Sequence, residues 1–328
     1  MQNLTISPLS TLPQVRVLGR CAGTDPLTLF WTGSGIELLF TGSELWVELN
    51  ADYDTMEPWV SVELDGAWIS RFAVNPGTSR MCIFRGAAPG RAKHVRLLKD
   101  VQAMSEDPAH LLQVTAICHA GGEFLPLPAP RCRLEFIGDS ITEGCMAIHA
   151  RTDSWVAHLS ELISAAQGFE LNTTNRGIGG NTSRDLLARW EEDVTALKPD
   201  LVVLCIGIND VWRQFDCTVQ TDWAVSPEEY RRNLNVMADH TTVPMVWMTP
   251  YYLEPNPADA MRARMDEYRA ICKEEAAKRG IPCIDLQEAF APLLRHRYPA
   301  TITWDRVHPG FTGSLVISRA LMETLTKE

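Results

Sequence analysis

The sequence has no apolar stretch close to the roughly 20 residues that a helix needs to cross a bilayer. Its first residues, MQNLTISPLSTLPQVRVLG, show no charged start followed by a long apolar core, so no signal peptide is visible. From these two absences we expect a cytoplasmic protein that does not act at a membrane.

Basic residues are fewer than acidic ones. The 30 Lys and Arg residues stand against 41 Asp and Glu, which gives a formal net charge of −11. The isoelectric point is about 5.3, and no basic cluster interrupts this average. Nucleic acids and anionic membranes repel a surface of this sign, so the sequence predicts neither as a partner.

Ligand motifs for metals and cofactors are also missing. The nine cysteines are scattered, without C-x-x-C or paired Cys/His spacing, and some lie in apolar runs such as LVVLCIG, as buried thiols do. The segment GIGGNT, residues 177–182, departs from the dinucleotide pattern G-x-G-x-x-G, and no G-x-x-x-x-G-K occurs. We therefore expect no metal site and no cofactor.

Short alternating strands fill the first part of the chain, residues 1–125. In ELWVELNA every second residue is apolar, and in WVSVELDGAWISRF an Asp-Gly pair separates two such runs, which is a strong hairpin signal. Without a helical pattern between them, these strands predict a jelly-roll-like β-sandwich. Such sandwiches often bind sugars, but a purely structural packing module fits the pattern equally well.

A change of pattern follows a proline-rich segment, FLPLPAP, from which we predict a linker over residues 126–131. Residues 132–328 then alternate predicted strands with predicted helices. LVVLCI is continuously apolar, as in a parallel strand covered on both faces. This alternation predicts an α/β domain with a parallel sheet, whose ligands bind beyond the carboxyl ends of the strands.

The segment LEFIGDSITEG, Leu134 to Gly144, places a serine where a predicted strand turns into a helix. The hydroxyl of Ser140 would then lie at the carboxyl end of a strand, beside backbone N–H groups at a helix start. Such a serine can act as a nucleophile, because the amides and the helix dipole stabilise an anion. Taken alone, this segment favours an ordinary helix N-cap, and the other segments of the chain have to change that interpretation.

Three further segments follow predicted strands: NRGIGGNTS (residues 175–183), GINDVW (207–212) and WDRVHPG (304–310). Each has a plain structural interpretation as a turn or a helix cap. All of them would nevertheless lie at the same edge of one parallel sheet, together with the serine segment. That coincidence favours a shared chemical site.

Acyl transfer needs the residue types that these segments bring. Ser140 would be the nucleophile, His308 the base that takes its proton, and Asp305 the carboxylate that orients the imidazole. The backbone amides of Ser140 and Gly180 and the carboxamide of Asn209 would stabilise the oxyanion.

The four segments resemble those of the SGNH, or GDSL-type, hydrolases: G-D-S, a glycine block, G-x-N-D and D-x-x-H. The resemblance covers residues 132–328 and implies a flavodoxin-like α/β/α hydrolase domain. It assigns the catalytic serine, aspartate and histidine to Ser140, Asp305 and His308, and the remaining oxyanion donors to Gly180 and Asn209.

A sandwich preceding such a domain further resembles carbohydrate esterase family 2, which implies removal of O-acetyl groups from carbohydrates. The expected partner is an acetylated oligosaccharide inside the cell or another small ester. Trp212, whose ring could pack on a sugar, and Asp139 are candidate substrate contacts. Two alternatives stay open: a thioesterase or lysophospholipase, and a carbohydrate-binding protein whose hydrolase domain is inactive.

Overall fold

The computed structural model describes residues 4–100, 107–129, 132–145, 147, 153–167, 172–216 and 224–326. The chain divides into two compact units, residues 1–129 and 130–328. The predicted linker, 126–131, reaches into residues 130–131, which lie outside the described part of the chain.

Two antiparallel sheets form the N-terminal unit. One has the order β3-β4-β11-β6-β9 with β1 paired to β11, and the other has the order β12-β5-β10-β7-β8 with β2 paired to β5. The predicted β-sandwich is confirmed. The strands are β1 (Thr5–Pro8), β2 (Arg16–Leu18), β3 (Cys21–Thr24), β4 (Leu27–Leu29), β5 (Gly35–Phe40), β6 (Glu44–Asp52), β7 (Trp59–Leu64), β8 (Ala67–Ala73), β9 (Gly77–Arg85), β10 (Lys93–Lys99), β11 (Leu111–Ala120) and β12 (Phe124–Leu125).

The period of two in the sequence explains how these sheets bury a core. Leu45, Val47 and Leu49 of β6 are fully buried, because successive side chains of a strand point to opposite faces. Asp65 and Gly66 join β7 to β8 with φ angles of 51° and 81°. Positive φ at both positions fits a two-residue hairpin turn, as the Asp-Gly pair predicts.

A parallel five-stranded sheet forms the centre of the C-terminal unit, with the order β14-β13-β15-β16-β17. Each pair of neighbouring strands in this sheet is parallel. The strands are β13 (Arg133–Gly138), β14 (Asn172–Gly177), β15 (Leu201–Cys205), β16 (Met245–Met248) and β17 (Cys283–Ile284). This order is flavodoxin-like, as expected. Ligands of such sheets bind beyond the carboxyl ends of the strands, at the point where the strand order reverses, which here lies between β13 and β15.

Helices separate these strands along the chain. They are α1 (Ser140–Glu143), α2 (Trp155–Gln167), α3 (Ser183–Ala188), α4 (Trp190–Asp193), α5 (Ile208–Trp212), α6 (Pro227–Asp239), α7 (Ala260–Arg279), α8 (Leu286–Leu294) and α9 (Phe311–Leu325). Ser226 caps α6 by accepting from the N–H of Glu229, and Gly280 ends α7 with a φ of 67°. A serine at the N-cap and a left-handed glycine after the last turn are typical of helix ends. Within the described residues, no helix combines the length and the apolar character needed to cross a membrane.

The second strand of this sheet differs from its prediction. We expect a strand over residues 169–175, whereas β14 continues to Gly177, and residues 169–171 lie outside the described part of the chain. The sequence NTTNRG is polar, but every residue of β14 pairs with one of β13. Pairing with a buried neighbour overrides the weak strand propensity of this segment.

Candidate active site

Ser140 is the first residue of α1, directly beyond β13. The preceding residue, Asp139, has an extended backbone, and its Oδ1 accepts from the N–H of Ile141 at 2.9 Å. The N-cap is therefore Asp139, and the interpretation of Ser140 as an ordinary N-cap is wrong. The side chain of the serine is left for other partners.

Ser140, His308 and Asp305 form one continuous hydrogen-bonded chain. The Ser140 Oγ lies 2.7 Å from His308 Nε2, across 168 residues of sequence. On the other side of the ring, His308 Nδ1 lies 2.5 Å from Asp305 Oδ2. The other carboxylate oxygen of Asp305 accepts from the backbone N–H groups of Val307 and His308, at 3.0 and 2.8 Å. The carboxylate is thus fixed by its own turn before it meets the imidazole.

The charges of this pair adjust each other's protonation. Burial lowers the pKa of His308, but the hydrogen bond and charge of Asp305 outweigh it, and the net pKa is raised. Burial raises the pKa of Asp305, but His308 and the two backbone amides lower it by more. The net pKa of Asp305 therefore lies below its ordinary value. Asp305 is therefore ionised where His308 titrates, and it stabilises the imidazolium.

The glycine block packs against the nucleophile. A Cβ built on Gly179 would lie 3.9 Å from the Cβ of Ser140. The next residue, Gly180, has a φ of 76°, a left-handed conformation that favours glycine. Its carbonyl oxygen accepts from Nη2 of Arg213 at 2.7 Å.

Asn209 is attached to the same block. Its Nδ2 donates to the backbone oxygen of Asn181 at 3.0 Å. A carboxamide nitrogen carries two N–H groups, so one of them remains for a substrate oxygen. Asp210 beside it is fully buried and accepts from the backbone N–H and the hydroxyl of Ser183, at 2.9 and 2.5 Å. The structure therefore brings the predicted oxyanion residues to one place.

The two candidate substrate contacts, Trp212 and Asp139, differ in their exposure to solvent. Trp212, at the end of α5, exposes 39% of its surface, so its ring is open to a sugar. Asp139 has no exposed surface. A substrate contact for Asp139 is therefore wrong, because its carboxylate is enclosed and used in the helix cap. Burial raises the pKa of Asp139 to about 7.

Two arginines near the site are not predicted from the sequence. Arg189, between α3 and α4, is 9% exposed and donates to the carbonyl oxygen of Gly138, two residues before the nucleophile, at 3.0 Å. Arg213 donates to Gly180 as described. No sequence signal identifies them, because an arginine in a helical segment is most often a solvated charge.

A cavity of about 320 Å³ lies beside Gly180, with Arg184, Asp185 and Arg213 among its lining residues. In the described part of the chain, no cluster of three or more His, Cys, Asp and Glu side chains is placed to hold a metal ion. The groups that the site offers are a paired serine and imidazole with nearby N–H donors, which suit acyl transfer.

Comparison with known protein families gives two matches. The model of the GDSL-like lipase/acylhydrolase family matches residues 136–314, and that of the carbohydrate esterase 2 N-terminal domain matches residues 17–128. Both resemblances predicted from the sequence are confirmed.

Several known proteins are similar to this chain. An acetylxylan esterase of Geobacillus stearothermophilus is 40% identical over 204 residues, which cover 59% of this chain and 93% of that protein. Its crystal structure superposes with a TM-score of 0.57 at 39% identity, covering 61% of this chain and 96% of that one. The cellulase/esterase CelE of Acetivibrio thermocellus is 35% identical over 232 residues, 62% of this chain but only 27% of that protein.

One solved structure is similar over the whole length of the chain. It is Est2A, an acetyl xylan esterase from the rumen bacterium Butyrivibrio proteoclasticus, with a TM-score of 0.70. It covers 98% of this chain and 97% of that one at 23% identity. At this identity the similarity shows the fold alone, and it agrees with the sandwich followed by the α/β unit.

Proposed function

Because this chain belongs to the GDSL-like lipase/acylhydrolase family, whose members hydrolyse carboxylic esters, we propose that it is an esterase. Its proposed reaction is the removal of O-acetyl groups from xylan-derived oligosaccharides. The observation that carries the proposal is the pair of hydrogen bonds through His308, 2.7 Å to Ser140 and 2.5 Å to Asp305. This arrangement gives the serine its base and gives the base its orientation.

The first half of the proposed reaction forms an acyl-enzyme. Ser140 Oγ attacks the acetyl carbonyl carbon while His308 Nε2 takes the hydroxyl proton. The carbonyl oxygen becomes an oxyanion, to which the N–H groups of Ser140 and Gly180 and the carboxamide of Asn209 donate. His308 then returns the proton to the sugar oxygen as the carbon–oxygen bond breaks, which releases the sugar hydroxyl and leaves acetyl-Ser140.

Water completes the cycle by the same route. His308 takes a proton from water as the water oxygen attacks acetyl-Ser140, and it returns that proton to Ser140 Oγ when acetate leaves. Asp305 stays ionised throughout and stabilises the imidazolium in both halves. The net reaction consumes one water and yields a free sugar hydroxyl and acetic acid, which ionises to acetate and a proton.

The substrate class rests on three observations. Relatives about 40% identical over the hydrolase unit are acetylxylan esterases. A domain typical of carbohydrate esterases precedes this unit. The cavity beside Gly180 is lined by polar and charged side chains, which suit the hydroxyl groups of a sugar better than a long acyl chain.

An acetate-release assay tests the proposal. Acetylated xylo-, gluco- and manno-oligosaccharides are incubated with the enzyme and with Ser140→Ala, and free acetate is measured. We expect release from the xylo-oligosaccharides at the highest kcat/KM and none with Ser140→Ala. Equal release from all three sugars would contradict the xylan assignment. Release that persists in Ser140→Ala would contradict the mechanism. A folded wild-type protein that a fluorophosphonate fails to label would instead be a carbohydrate-binding protein.

A further inference from the structure

One buried arginine connects all the segments that supply oxyanion donors. Besides the bond to Gly138, Nε of Arg189 donates to Oδ1 of Asn181 at 2.9 Å, and Nη1 donates to Oδ2 of Asp193 at 2.5 Å. Its guanidinium therefore contacts the backbone before the nucleophile and the glycine block at the same time.

The segment that carries Asn209 is connected to Arg189 through Asn181. The side chain of Asn181 accepts from Arg189, and its backbone oxygen accepts from Asn209 at 3.0 Å. The carbonyl oxygen of Gly138, which also accepts from Arg189, takes a second hydrogen bond from the N–H of Ile178 at 3.1 Å. The positions of Ser140, Gly180 and Asn209 relative to one another thus depend on bonds that meet at this guanidinium.

A fixed centre of this kind is needed because the glycine block is intrinsically mobile. Glycine has the largest backbone freedom of any residue, and donors aid catalysis only when they already point at the developing charge. A guanidinium is a planar fork with donors in set directions, so it fixes several partners together, which a lysine ammonium cannot do.

The charge of Arg189 is balanced inside the protein. Asp193, 1% exposed, accepts from it and also lies 3.9 Å from Nη1 of Arg176. Arg176 in turn pairs with Glu135 of β13 at 2.6 Å. These buried pairs hold the guanidinium in place, so that it does not swing toward solvent.

We propose that Arg189 is the positioning residue of the oxyanion site: it sets the distances between the donors of Ser140, Gly180 and Asn209 without contacting the substrate. This inference rests on the proposed esterase function. Arg189 lies outside the four sequence segments. Through the donors it positions, it controls how tightly the transition state is bound, while binding of the ground-state substrate is unaffected.

Two substitutions at Arg189 and one at its partner separate positioning from folding. Arg189→Lys keeps the charge but reaches fewer partners, Arg189→Met removes every bond, and Asp193→Asn loosens the anchor. Arg269→Met is the matched control, since Arg269 is a partly buried arginine of α7 whose ion-pair partners, Asp266, Asp285 and Glu288, lie outside the donor segments. The readouts are kcat and KM for p-nitrophenyl acetate, active-site titration, the melting temperature, and the Ki of a boronic acid that forms a tetrahedral adduct with Ser140.

Misplaced donors should lower kcat and leave KM nearly unchanged. A displacement of about 1 Å can reduce a rate by roughly 10²-fold, so we expect kcat per titrated site to fall roughly 10- to 100-fold in Arg189→Lys and further in Arg189→Met. The boronate Ki should rise in parallel, because the adduct uses the same donors. Asp193→Asn should show a smaller loss, and Arg269→Met should change only the melting temperature.

One outcome would overturn the inference: Arg189→Lys with kcat per titrated site and boronate Ki equal to wild type, whether or not its melting temperature is lower. If Arg189→Met does not fold, Arg189→Lys and Asp193→Asn decide on the same readouts. Activity that persists in Ser140→Ala would instead reject the proposed function itself, which keeps the two failures distinct.

Discussion

Asp210 accepts two hydrogen bonds from Ser183, one from its backbone N–H and one from its hydroxyl, with both residues fully buried. This pair fixes the start of α3 to the segment that carries Asn209. The enclosure has a second effect: burial raises the pKa of Asp210 to about 6. The unit therefore contains carboxyl groups that take up protons well above pH 4.

The buried carboxyl groups and His308 should make the protein less stable as pH rises from 5 to 8, whereas His110 and His158, whose pKa values burial lowers, act in the opposite direction at the acidic end of this range. Burial raises the pKa of Asp139 and of Glu135 to about 7 each, so with Asp210 the folded state binds protons more tightly than the unfolded chain. Their contribution to the free energy of unfolding is greatest near pH 4 and is lost between about pH 4 and 7. The raised pKa of His308 acts in the same direction, its contribution being lost as pH passes through that pKa.

Urea unfolding at pH 5, 6, 7 and 8 measures this dependence. Glu37 and Asp107, whose pKa values lie at about 2, finish titrating below this range and leave the slope unchanged. Asp139→Asn retains an acceptor for the N–H of Ile141 but cannot titrate, so it should reduce the slope. A free energy of unfolding that increases steadily toward pH 8 would contradict the assignment.

Ser140→Ala should abolish esterase activity, with a loss of roughly 10⁴-fold or more in kcat. The melting temperature should stay close to wild type, because a hydroxyl at a strand end contributes little packing. Activity on p-nitrophenyl acetate and labelling by a fluorophosphonate check both points. Ser160→Ala, which removes another hydroxyl of the same unit that donates to the carbonyl of Val156, is the control. A variant within tenfold of wild type would place the nucleophile elsewhere.

Asp305→Asn should reduce kcat less than His308→Ala does. The asparagine Oδ1 can still accept from the N–H groups of Val307 and His308, so the turn keeps its shape although the imidazole loses its anionic partner. Kinetics of the two variants at pH 8 compare the losses. Equal losses would show that orientation of the ring depends wholly on the carboxylate.

The pH dependence of the same variant gives an independent test. Wild-type kcat/KM should rise with pH through the pKa of His308, since the neutral imidazole is the base, and that pKa lies above its ordinary value. Removing the negative charge of Asp305 lowers the pKa of His308, so the acidic limb should move to lower pH as the plateau falls. A limb that stays in place would mean that another group controls it.

Trp212→Ala should raise KM for acetylated oligosaccharides several-fold and leave KM for an aryl acetate nearly unchanged. The exposed ring can pack on the apolar face of a sugar, and an aryl acetate has no sugar ring to offer it. Trp68→Ala removes a similarly exposed tryptophan, 46% against 39%, from the N-terminal unit and serves as the control. Loss of thermal stability in Trp212→Ala with unchanged KM would mean that the ring only anchors its loop.

The enzyme should act faster on acetate than on longer esters. Each additional methylene would need matching apolar space worth about 0.8 kcal/mol, and the cavity beside Gly180 is lined by charged and polar groups. We expect kcat/KM on p-nitrophenyl acetate to exceed that on the octanoate by roughly tenfold or more, about 1.4 kcal/mol in transition-state stabilisation. Octanoate turnover equal to that of acetate would favour the thioesterase or lysophospholipase alternative.

The position of the site could be predicted from the sequence because the sheet is parallel. Carboxyl ends of parallel strands meet at one edge, so Ser140, Gly180 and Asn209 had to converge once the alternation of strands and helices was clear. Asp305 and His308 are three residues apart, close enough for one turn to set their geometry.

Burial and long-range bonds could not be predicted in this way. The enclosure of Asp139 depends on what packs around α1, and a carboxylate next to a nucleophile is compatible with a substrate contact as well as with a cap. The bonds from Arg189 to Gly138 and Asn181 span 51 and 8 residues. Such partners follow from the tertiary packing of the unit, which no local pattern in the sequence encodes.

Ser140 precedes His308 by 168 positions in the sequence, which fixes the order in which the two are synthesised. During synthesis the nucleophile leaves the ribosome long before its base does, and the last helix, α9, follows the base. Ser318 of α9 donates to the carbonyl oxygen of Trp155 in α2, so the end of the unit closes onto its beginning. A nascent chain, or one cut before His308, therefore carries an unactivated serine, and hydrolysis begins only when the last part of the unit is in place.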